Sequence, residues 1–555
     1  MIFFPAVEEN IKTPLDMLYQ WEEINPEGVF FRQPIAGQWH EFTWRQVGDQ
    51  VRRMATALIA RDYPQGSHIA IISKNCAHWV MADLAIWMAG HVSVPMYPNL
   101  NRESVGKILD HSDAKLVFVG KLDDWKEIQK GIPQEFPIIA FPYEPRENSA
   151  SWDELIGAHE PLQGKVVRKL DEMATIIYTS GTTGEPKGVV HNFISPSYSA
   201  TNVVKEFKIT KDDTFFSYLP LAHVAERLLC ETTPLYAGSK ISFAESLSTF
   251  PDNVQETSPT IFLAVPRLWT KFKQKILVQV PQQKMSLLLN IPFLNKIVAK
   301  KIRTKLGIQN SRVIGSGAAA ISDSLLRWFQ KLGVNISDCY AMTENYAYSY
   351  VARPQAIRIG CSGQPLPGVD VKISDEGEVL IKCKADFVEY YKNPEETAKT
   401  FDKEGYIKTG DQGHLDDRGY LKITGRIKDL FKTSKGKYVA PSPIEKKISS
   451  NPYIEQICVV GDGMPSPIAL VVLGEGTDLS KKDEISTSLE ESRVRTNETL
   501  DGHEKVQKII IVRETWSPEN GFLTPTMKVK RPVVEKSYGT KIEAWTNESG
   551  NIIFE

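Results

Sequence analysis

The chain has 555 residues, of which 42% are hydrophobic and 24% charged, a balance that excludes wholesale disorder, collagen-like repeats and coiled coils. Its 66 basic and 68 acidic residues leave a formal net charge of −2, so bulk electrostatics gives no reason to expect a nucleic-acid partner. The six cysteines include no Cys-x-x-Cys pair, which argues against a zinc site or a disulfide framework and favours a reducing cytoplasm. We expect neither a signal peptide nor a transmembrane helix, because no basic segment precedes the N-terminal apolar residues and no long apolar run follows.

The first half of the chain alternates between predicted helices and strands. Apolar residues have helical spacing at 51–60 and 77–88, and short apolar runs at 68–73 and 114–120 predict strands. Further strands are predicted at 175–178, 260–265 and 312–315. Strands separated by helices are typical of βαβ units, so we expect an α/β fold whose largely parallel sheets are covered on both faces.

The pattern changes after Gly363. Residues 369–381 alternate in polarity around an Asp-Glu-Gly turn, which is typical of a hairpin, and residues 406–411 and 419–424 also resemble strands. We therefore predict a β-rich subdomain over about residues 363–427.

The last part of the chain is mixed again, with helical stretches near residues 443–449 and 484–499. We expect a large N-terminal domain over residues 1–427 and a small C-terminal α+β domain over residues 428–555. The boundary is based on the motifs described below more than on composition.

One segment combines an apolar run with basic residues. Residues 285–294 are apolar, and Lys296, Lys300, Lys301, Arg303 and Lys305 follow. A buried helix with a solvated basic end is the simpler interpretation. The alternative is an interfacial contact with a membrane through about residues 285–305.

The sharpest local signal is Tyr-Thr-Ser-Gly-Thr-Thr-Gly-Glu-Pro-Lys-Gly at residues 178–188. Its three glycines and four hydroxyl side chains offer donors that can surround phosphate oxygens, and one lysine follows. The sequence is not a Walker A loop, because Pro-Lys-Gly replaces Gly-Lys-Ser/Thr. We predict a phosphate-binding loop between a strand and a helix.

Four further motifs follow the loop at 178–188 in order: Asp-Cys-Tyr-Ala-Met-Thr-Glu at 338–344, Tyr-Ile-Lys-Thr-Gly-Asp at 406–411, Gly-Arg-Ile-Lys-Asp at 425–429, and Thr-Pro-Thr-Met-Lys-Val-Lys-Arg at 524–531. Together the five motifs resemble those of the acyl-adenylate-forming superfamily, which includes acyl-CoA synthetases, luciferase-like enzymes and peptide-synthetase adenylation domains. Within the superfamily, the segments at 219–227 and 436–441 are most similar to long-chain fatty acyl-CoA synthetases.

The resemblance implies an AMP-forming ligase that uses ATP, Mg²⁺ and CoA. A fatty acid and Mg-ATP would give acyl-AMP and pyrophosphate, and the CoA thiol would then displace AMP. Because the first step brings an anionic carboxylate against an anionic α-phosphate, cations and donors must offset the repulsion. Three alternatives stay open: a fatty-acyl-AMP ligase that loads a carrier protein, a β-lactone-forming relative, and a nucleotide-binding sensor without catalysis.

The resemblance also implies the nucleotide contacts. The ATP- and AMP-binding set is Thr179, Ser180, Gly181, Thr182, Thr183, Gly184, Lys187, Gly317, Ala318, Tyr340, Asp411 and Arg426. In this set, the loop hydroxyls and Lys187 would hold the β- and γ-phosphates. Tyr340 would stack on adenine, and Asp411 would accept the ribose hydroxyls.

The implied catalytic set is Lys528, Thr343, Glu344 and Arg426. Glu344 would hold Mg²⁺, Thr343 would donate to the α-phosphate, and Arg426 would reach ribose or phosphate. Lys528 would neutralise the reacting carboxylate and the bridging oxygen, although Lys530 lies two residues away.

The remaining assignments concern the acyl group, CoA and domain movement. His223 and Gly315 are expected to bind the acyl group, and Gly436 is expected beside CoA. Lys428 is the implied hinge about which the C-terminal domain swings. The expected partners are small molecules, namely the fatty acid, ATP and CoA, and the expected location is the cytoplasm, with the inner face of a membrane as the alternative.

A dinucleotide-binding site is the main competing motif. Residues 312–320 contain Gly-x-Gly-x-x-Ala between a predicted strand and helix, and Asp338 follows at a suitable distance. We reject NAD, because Asp338 continues directly into the motif at 338–344 and the same small residues suit a backbone against adenine.

Overall fold

Two large sheets with mostly parallel strands form the core of the protein, as predicted. The computed structural model describes residues 6–143, 149–180, 186–524 and 526–555. The first sheet has nine strands, in the spatial order Gln364–Pro365, Tyr350–Val351, Ile336–Tyr340, Val313–Ser316, Ile261–Ala264, Thr214–Ser217, Lys240–Phe243, Val29–Ile35 and Gln38–Thr43.

The second sheet has eight strands and contains the ends of the glycine-rich loop. Its order is Glu389–Tyr390, Pro186–Asn192, Met173–Ser180, Val92–Met96, His68–Ile72, Leu116–Val119, Ile138–Ala140 and Ala150–Ser151. The helix predicted after the loop is wrong. The chain continues instead as the strand Pro186–Asn192, antiparallel to Met173–Ser180, because its β-branched Val189 and Val190 are buried against the neighbouring strand.

The helix Ala77–Met88 lies in the main core, and every one of its residues is buried. That core includes side chains from both large sheets, such as Phe31 and Ile69. The other helices before residue 401 are Pro14–Ile24, Trp44–Ile59, Arg102–His111, Trp125–Ile128, Trp152–Ala158, Ile194–Glu206, Val224–Glu226, Thr233–Ala237, Phe250–Thr257, Pro266–Gln279, Gln282–Asn290, Leu294–Lys305, Asp323–Gln330 and Pro394–Thr400, with a π-helix at Arg227–Thr232.

The predicted hairpin after Gly363 is confirmed as part of a four-stranded antiparallel sheet. Its strands are Asp370–Ile373, Glu378–Lys382, Ile407–Leu415 and Leu421–Arg426. The first turn needs Gly377, whose φ of +80° is costly for residues with a side chain. A 3-10 turn, Ile427–Asp429, follows the sheet.

The C-terminal part of the chain has its own small sheets and two further cores. A two-stranded ribbon, Phe431–Lys432 with Tyr438–Val439, precedes a four-stranded sheet. The strands of that sheet are Ile454–Val460, Ile468–Leu473, Ile509–Ile511 and Ile552–Phe554, and the helices are Pro441–Ile448, Lys482–Asn497 and Arg531–Asn547. The cores on either side of this sheet contain only side chains from beyond residue 430.

The apolar segment at 285–294 is interrupted rather than continuous. Pro292 separates the helices Gln282–Asn290 and Leu294–Lys305, and each packs only one side on the protein. Met285 is buried, but Phe293 is 80% exposed, so the buried-helix interpretation is wrong for this part of the segment.

All six cysteines are free thiols. In the part of the chain that the structure describes, no helix is both long and apolar enough to cross a bilayer.

Candidate active site

The sequence motifs converge on one cavity of about 2620 Å³. Residues on both sides of the turn Ile427–Asp429 line it. The predicted residues among them are Thr179, Lys187, His223, Gly317, Ala318, Tyr340, Thr343, Glu344, Asp411, Arg426, Lys428 and Lys528.

Two predicted residues do not line this cavity. A Cβ atom at Gly315 would lie 2.6 Å from Cδ1 of Leu263, so the glycine makes room for Leu263, which does line the cavity. Gly436 has a φ of +75° in the turn of the two-stranded ribbon. The predicted loop residues Gly181, Thr182, Thr183 and Gly184 lie outside the described residues, and only the backbone of Ser180 is described.

Asp411 is the centre of a hydrogen-bonded group at one side of the cavity. It pairs across the antiparallel sheet with Arg426, whose Nε donates to Oδ1 at 3.0 Å. The hydroxyl of Tyr340 donates to Oδ2 at 2.8 Å. Burial, followed by the charge of Asp411, raises the pKa of Tyr340 well above its usual range, so the phenol stays protonated and donates.

Burial disfavours the charge on Arg426, but Asp411 outweighs it and raises the arginine pKa. The group therefore fixes a carboxylate, a cation and an aromatic ring in one place. A carboxylate has about four acceptor sites, so Asp411 keeps capacity to accept hydroxyl groups of a ligand.

Glu344 is held by a tyrosine that the sequence analysis missed. It lies in the 3-10 turn Thr343–Asn345, and the hydroxyl of Tyr390 donates to its Oε1 at 2.6 Å. Lys187 lies 5.3 Å from the centre of the same tyrosine ring, and its Nζ is 2.5 Å from Oε1 of Glu396. Tyr390 thus connects the end of the glycine-rich loop with the acidic residue.

A divalent cation would fit Glu344 only in partnership with a ligand. The described residues contain no group of three or more His, Cys, Asp or Glu side chains that could enclose a metal. Mg²⁺ commonly binds one or two carboxylates together with substrate phosphates and water. Glu344 lines the cavity and is connected through Tyr390 to Lys187, so it can supply one carboxylate of such a set.

Lys528 enters the cavity from the C-terminal part of the chain. A tight turn positions it: the amide of Thr524 donates to the carbonyl of Lys528 at 2.8 Å, and the amide of Lys528 donates to Oγ1 of Thr524 at 3.1 Å. The residue is exposed to water, yet it lies within the cavity and is surrounded by protein. That enclosure, followed by Arg426, lowers the pKa of Lys528, while Asp411 and Glu344 oppose the shift.

The neighbouring Arg531 also lines the cavity, but its guanidinium is bonded within the C-terminal part of the chain. Its Nη2 donates to Oε1 of Glu445 at 2.7 Å, and its Nη1 contacts the carbonyl of Val459. Arg531 therefore supports the C-terminal sheet. Asp411 and Glu344 interact electrostatically with Lys528.

Two histidines near the site are neutral near pH 7. Burial, followed by Lys528, lowers the pKa of His223 to about 4, and its Nδ1 accepts from the amide of Ala225 at 3.1 Å. Burial lowers the pKa of His191 to about 3, and its Nε2 donates to the carbonyl of Thr343 at 2.8 Å. His191, to which the sequence assigned no role, supports the turn that carries Glu344.

Comparison with known families gives two matches along the chain. A family described as AMP-binding enzyme matches residues 20–384, and one described as AMP-binding enzyme C-terminal domain matches residues 428–549. The long-chain-fatty-acid–CoA ligase FadD15 of Mycobacterium bovis is 27% identical over 590 aligned positions, which cover 96% of each chain. Long-chain-fatty-acid–CoA ligase 5 of Rattus norvegicus is 28% identical over 572 positions, covering 90% of this chain and 84% of the relative.

Solved structures share the fold at lower identity. An anthranilate CoA ligase, AuaEII, in complex with anthranoyl-AMP superposes with a TM-score of 0.78 and 21% identity, covering 96% of this chain and 98% of the other. The adenylation domain of a carboxylate reductase from Mycobacterium chelonae gives a TM-score of 0.81 and 21% identity, with coverage of 98% and 94%.

Proposed function

The chain belongs to the AMP-binding enzyme family of adenylate-forming ligases, and from this premise we propose that it is an AMP-forming long-chain fatty acid–CoA ligase. The acid and ATP give acyl-AMP and pyrophosphate, and the thiol of CoA then attacks the acyl carbonyl while AMP leaves. The names of the relatives from Mycobacterium bovis and Rattus norvegicus support this substrate and this acceptor.

One observation carries the proposal: Lys528 shares the cavity with Asp411, Arg426 and Glu344 and interacts electrostatically with all three. When the carboxylate attacks the α-phosphate of ATP, two anions are brought together, and negative charge builds on the phosphoryl oxygens and on the bridging oxygen that leaves with pyrophosphate. Preorganised cations stabilise such charge without reorganisation during the reaction. Lys528 would neutralise the acid and the bridging oxygen.

The remaining groups would orient the nucleotide. Asp411 would accept the ribose hydroxyls, and Arg426 would contact ribose or phosphate from the next strand. Mg²⁺ bound at Glu344 would neutralise phosphate charge. Thr343 would donate to the α-phosphate, and Tyr390 would keep the Glu344 carboxylate oriented.

The cavity also offers apolar surface for the acyl group. Its lining includes the side chains of Met96, Leu100, Ile108, Val224 and Leu263. His223, kept neutral by burial, lines the same cavity and would lie on the wall of the acyl pocket without adding a charge. This apolar part of the lining would suit the hydrocarbon chain of a fatty acid.

The test of this function is pyrophosphate release with saturated acids of graded length, measured with and without CoA. We expect the highest kcat/KM with long-chain acids and release of AMP that depends on CoA. Pyrophosphate release with acyl-AMP accumulation and no use of CoA would favour loading of a carrier protein instead. Absence of pyrophosphate release with any acid would favour a nucleotide sensor.

Glu344→Gln should raise the Mg²⁺ concentration needed for half-maximal pyrophosphate release. The amide keeps the shape of the side chain but removes the charge that would hold the cation, and Tyr390→Phe should act in the same direction by releasing the carboxylate. Loss of a supporting group commonly costs roughly 10–100-fold in metal affinity. A magnesium titration of both variants measures the effect.

Glu395→Gln is the matched control, because Glu395 is exposed and does not line the cavity. Its magnesium requirement should equal that of the unchanged protein. A titration curve for Glu344→Gln that overlays the unchanged protein would remove Glu344 from the metal site.

A further inference from the structure

The helices Gln282–Asn290 and Leu294–Lys305 form a hairpin with an exposed apolar end. We call this end the apolar tip. It consists of Leu287, Ile291, Phe293 and Ile297, which are 64%, 42%, 80% and 64% exposed. Four large apolar side chains together in water are unfavourable unless a partner covers them.

The hairpin is anchored on its opposite side, so the tip is a fixed surface. Met285 and Ala299 are buried, and Leu289 and Ile302 pack against the core beside the first sheet. Polar contacts reinforce the anchoring: Trp328 donates to Oε1 of Gln282 at 3.0 Å, and Arg303 donates to the carbonyl of Leu332 at 2.7 Å.

Leu287 and Ile297 lie on the two helices, and Ile291 and Phe293 lie in the short connection between them. Between the helices, Phe293 has φ of 66° and ψ of −45°, and the amide of Leu294 donates to the carbonyl of Pro292 at 2.8 Å. A non-glycine residue in such a three-residue turn is strained, which adds to the cost of displaying the aromatic ring in water.

The segment of the chain that contains the tip carries charge of one sign. Residues 257–322 contain 11 Lys or Arg side chains and no Asp or Glu, although the whole chain is slightly acidic. Lys296, Lys300 and Lys301 lie on the helix that begins at the tip, and all three are exposed. Apolar residues bordered by lysines, with no acid among them, complement a surface that is apolar inside and negatively charged outside.

We propose that the apolar tip inserts into the interface of an anionic phospholipid bilayer while the surrounding lysines contact its headgroups. Amphipathic segments of this composition bind membranes through buried apolar area together with attraction to anionic lipids. A protein partner would need acidic groups to match the lysines, whereas a bilayer supplies apolar depth and negative charge together. This membrane binding does not depend on which acid the cavity activates.

The experiment is co-sedimentation of the full chain with vesicles of phosphatidylcholine, with and without phosphatidylglycerol. We expect binding to the mixed vesicles that weakens with salt, and much weaker binding to phosphatidylcholine alone. Phe293→Ser combined with Ile297→Ser should lower the partition coefficient by at least about tenfold. The triple change Lys296→Gln, Lys300→Gln, Lys301→Gln should remove the preference for anionic vesicles.

Leu247→Ser is the matched control, because Leu247 is 83% exposed but lies outside the hairpin. It should bind vesicles like the unchanged protein. Phe293→Trp preserves an aromatic tip, and its added fluorescence should shift to shorter wavelength with anionic vesicles. The proposal is overturned if the unchanged protein does not bind these vesicles or if the serine variant binds equally. It is also overturned if the tip mediates self-association without vesicle binding.

Discussion

Lys528→Ala should lower the rate of acyl-AMP formation by roughly 10²–10³-fold, the loss typical when one preorganised electrostatic group is removed from an active site. Thioester formation from supplied acyl-AMP should continue, because the bond that Lys528 helps to make already exists in that substrate. Pyrophosphate release measures the first half-reaction, and acyl-CoA formed from purified acyl-AMP measures the second. The difference between the two assays is the readout specific to this role.

Lys530→Ala provides the control on the same segment. It removes a second lysine that lines the cavity, two residues away, and leaves intact the backbone bond in which the amide of residue 530 donates to the carbonyl of Phe522 at 2.8 Å. Both half-reactions should be retained, and the unfolding free energy of either variant should change by no more than about 0.5 kcal/mol. Equal losses in both half-reactions of Lys528→Ala would show that this lysine does not act on the first step alone.

The fold could be predicted where local pattern and tertiary packing agree. The helix at 77–88 and the strands near 68–72 and 116–119 appear at or within two residues of their predicted positions, because short apolar runs with clear periodicity favour one structure. The strand Pro186–Asn192 was predicted wrongly as a helix. Its seven residues are too few to show a period, and burial against the sheet, which is a tertiary effect, decides its structure.

The candidate site could be predicted where residues stand in ordered motifs, and not where they meet only in the folded chain. Tyr390 lies 46 residues from Glu344, and Glu396 lies 209 residues from Lys187, yet each pair is in direct contact. Tyr390 stands in a Glu-Tyr-Tyr sequence at 389–391, which belongs to none of the five motifs. No local pattern signals Glu396.

A buried arginine outside the cavity also has partners that the sequence could not predict. Arg227 is fully buried in a π-helix, where it contacts Asp83 from a helix 144 residues earlier and donates to Oε2 of Glu231 at 2.9 Å. Burial works against the charge, but the two carboxylates raise the pKa of Arg227 well above its usual range. From the sequence alone this arginine would be predicted to lie on the surface, because its carboxylate partners come together with it only in the folded chain.

The positions of two residues in the C-terminal part of the chain suggest that this part moves. Lys528 lines the cavity, whereas Gly436, the proposed neighbour of CoA, does not. Contacts hold this arrangement: Nζ of Lys446 lies 3.0 Å from Oδ1 of Asp323, and Gln274 donates to the carbonyl of Pro452 at 2.7 Å. We propose that residues 428–555 turn about Lys428 after acyl-AMP forms.

Lys428→Pro should therefore separate the two half-reactions in the opposite sense to Lys528→Ala. Lys428 lies in the 3-10 turn Ile427–Asp429, and proline's φ near −65° suits such a turn, so acyl-AMP formation and pyrophosphate exchange should persist. The ring prevents rotation about that torsion, so CoA transfer should fall by at least about tenfold. Lys428→Ala removes the same ammonium but leaves the torsion free, and it should retain both activities. Full CoA transfer by the proline variant would place the pivot elsewhere, whereas loss in the alanine variant as well would assign the effect to the charge rather than to the backbone.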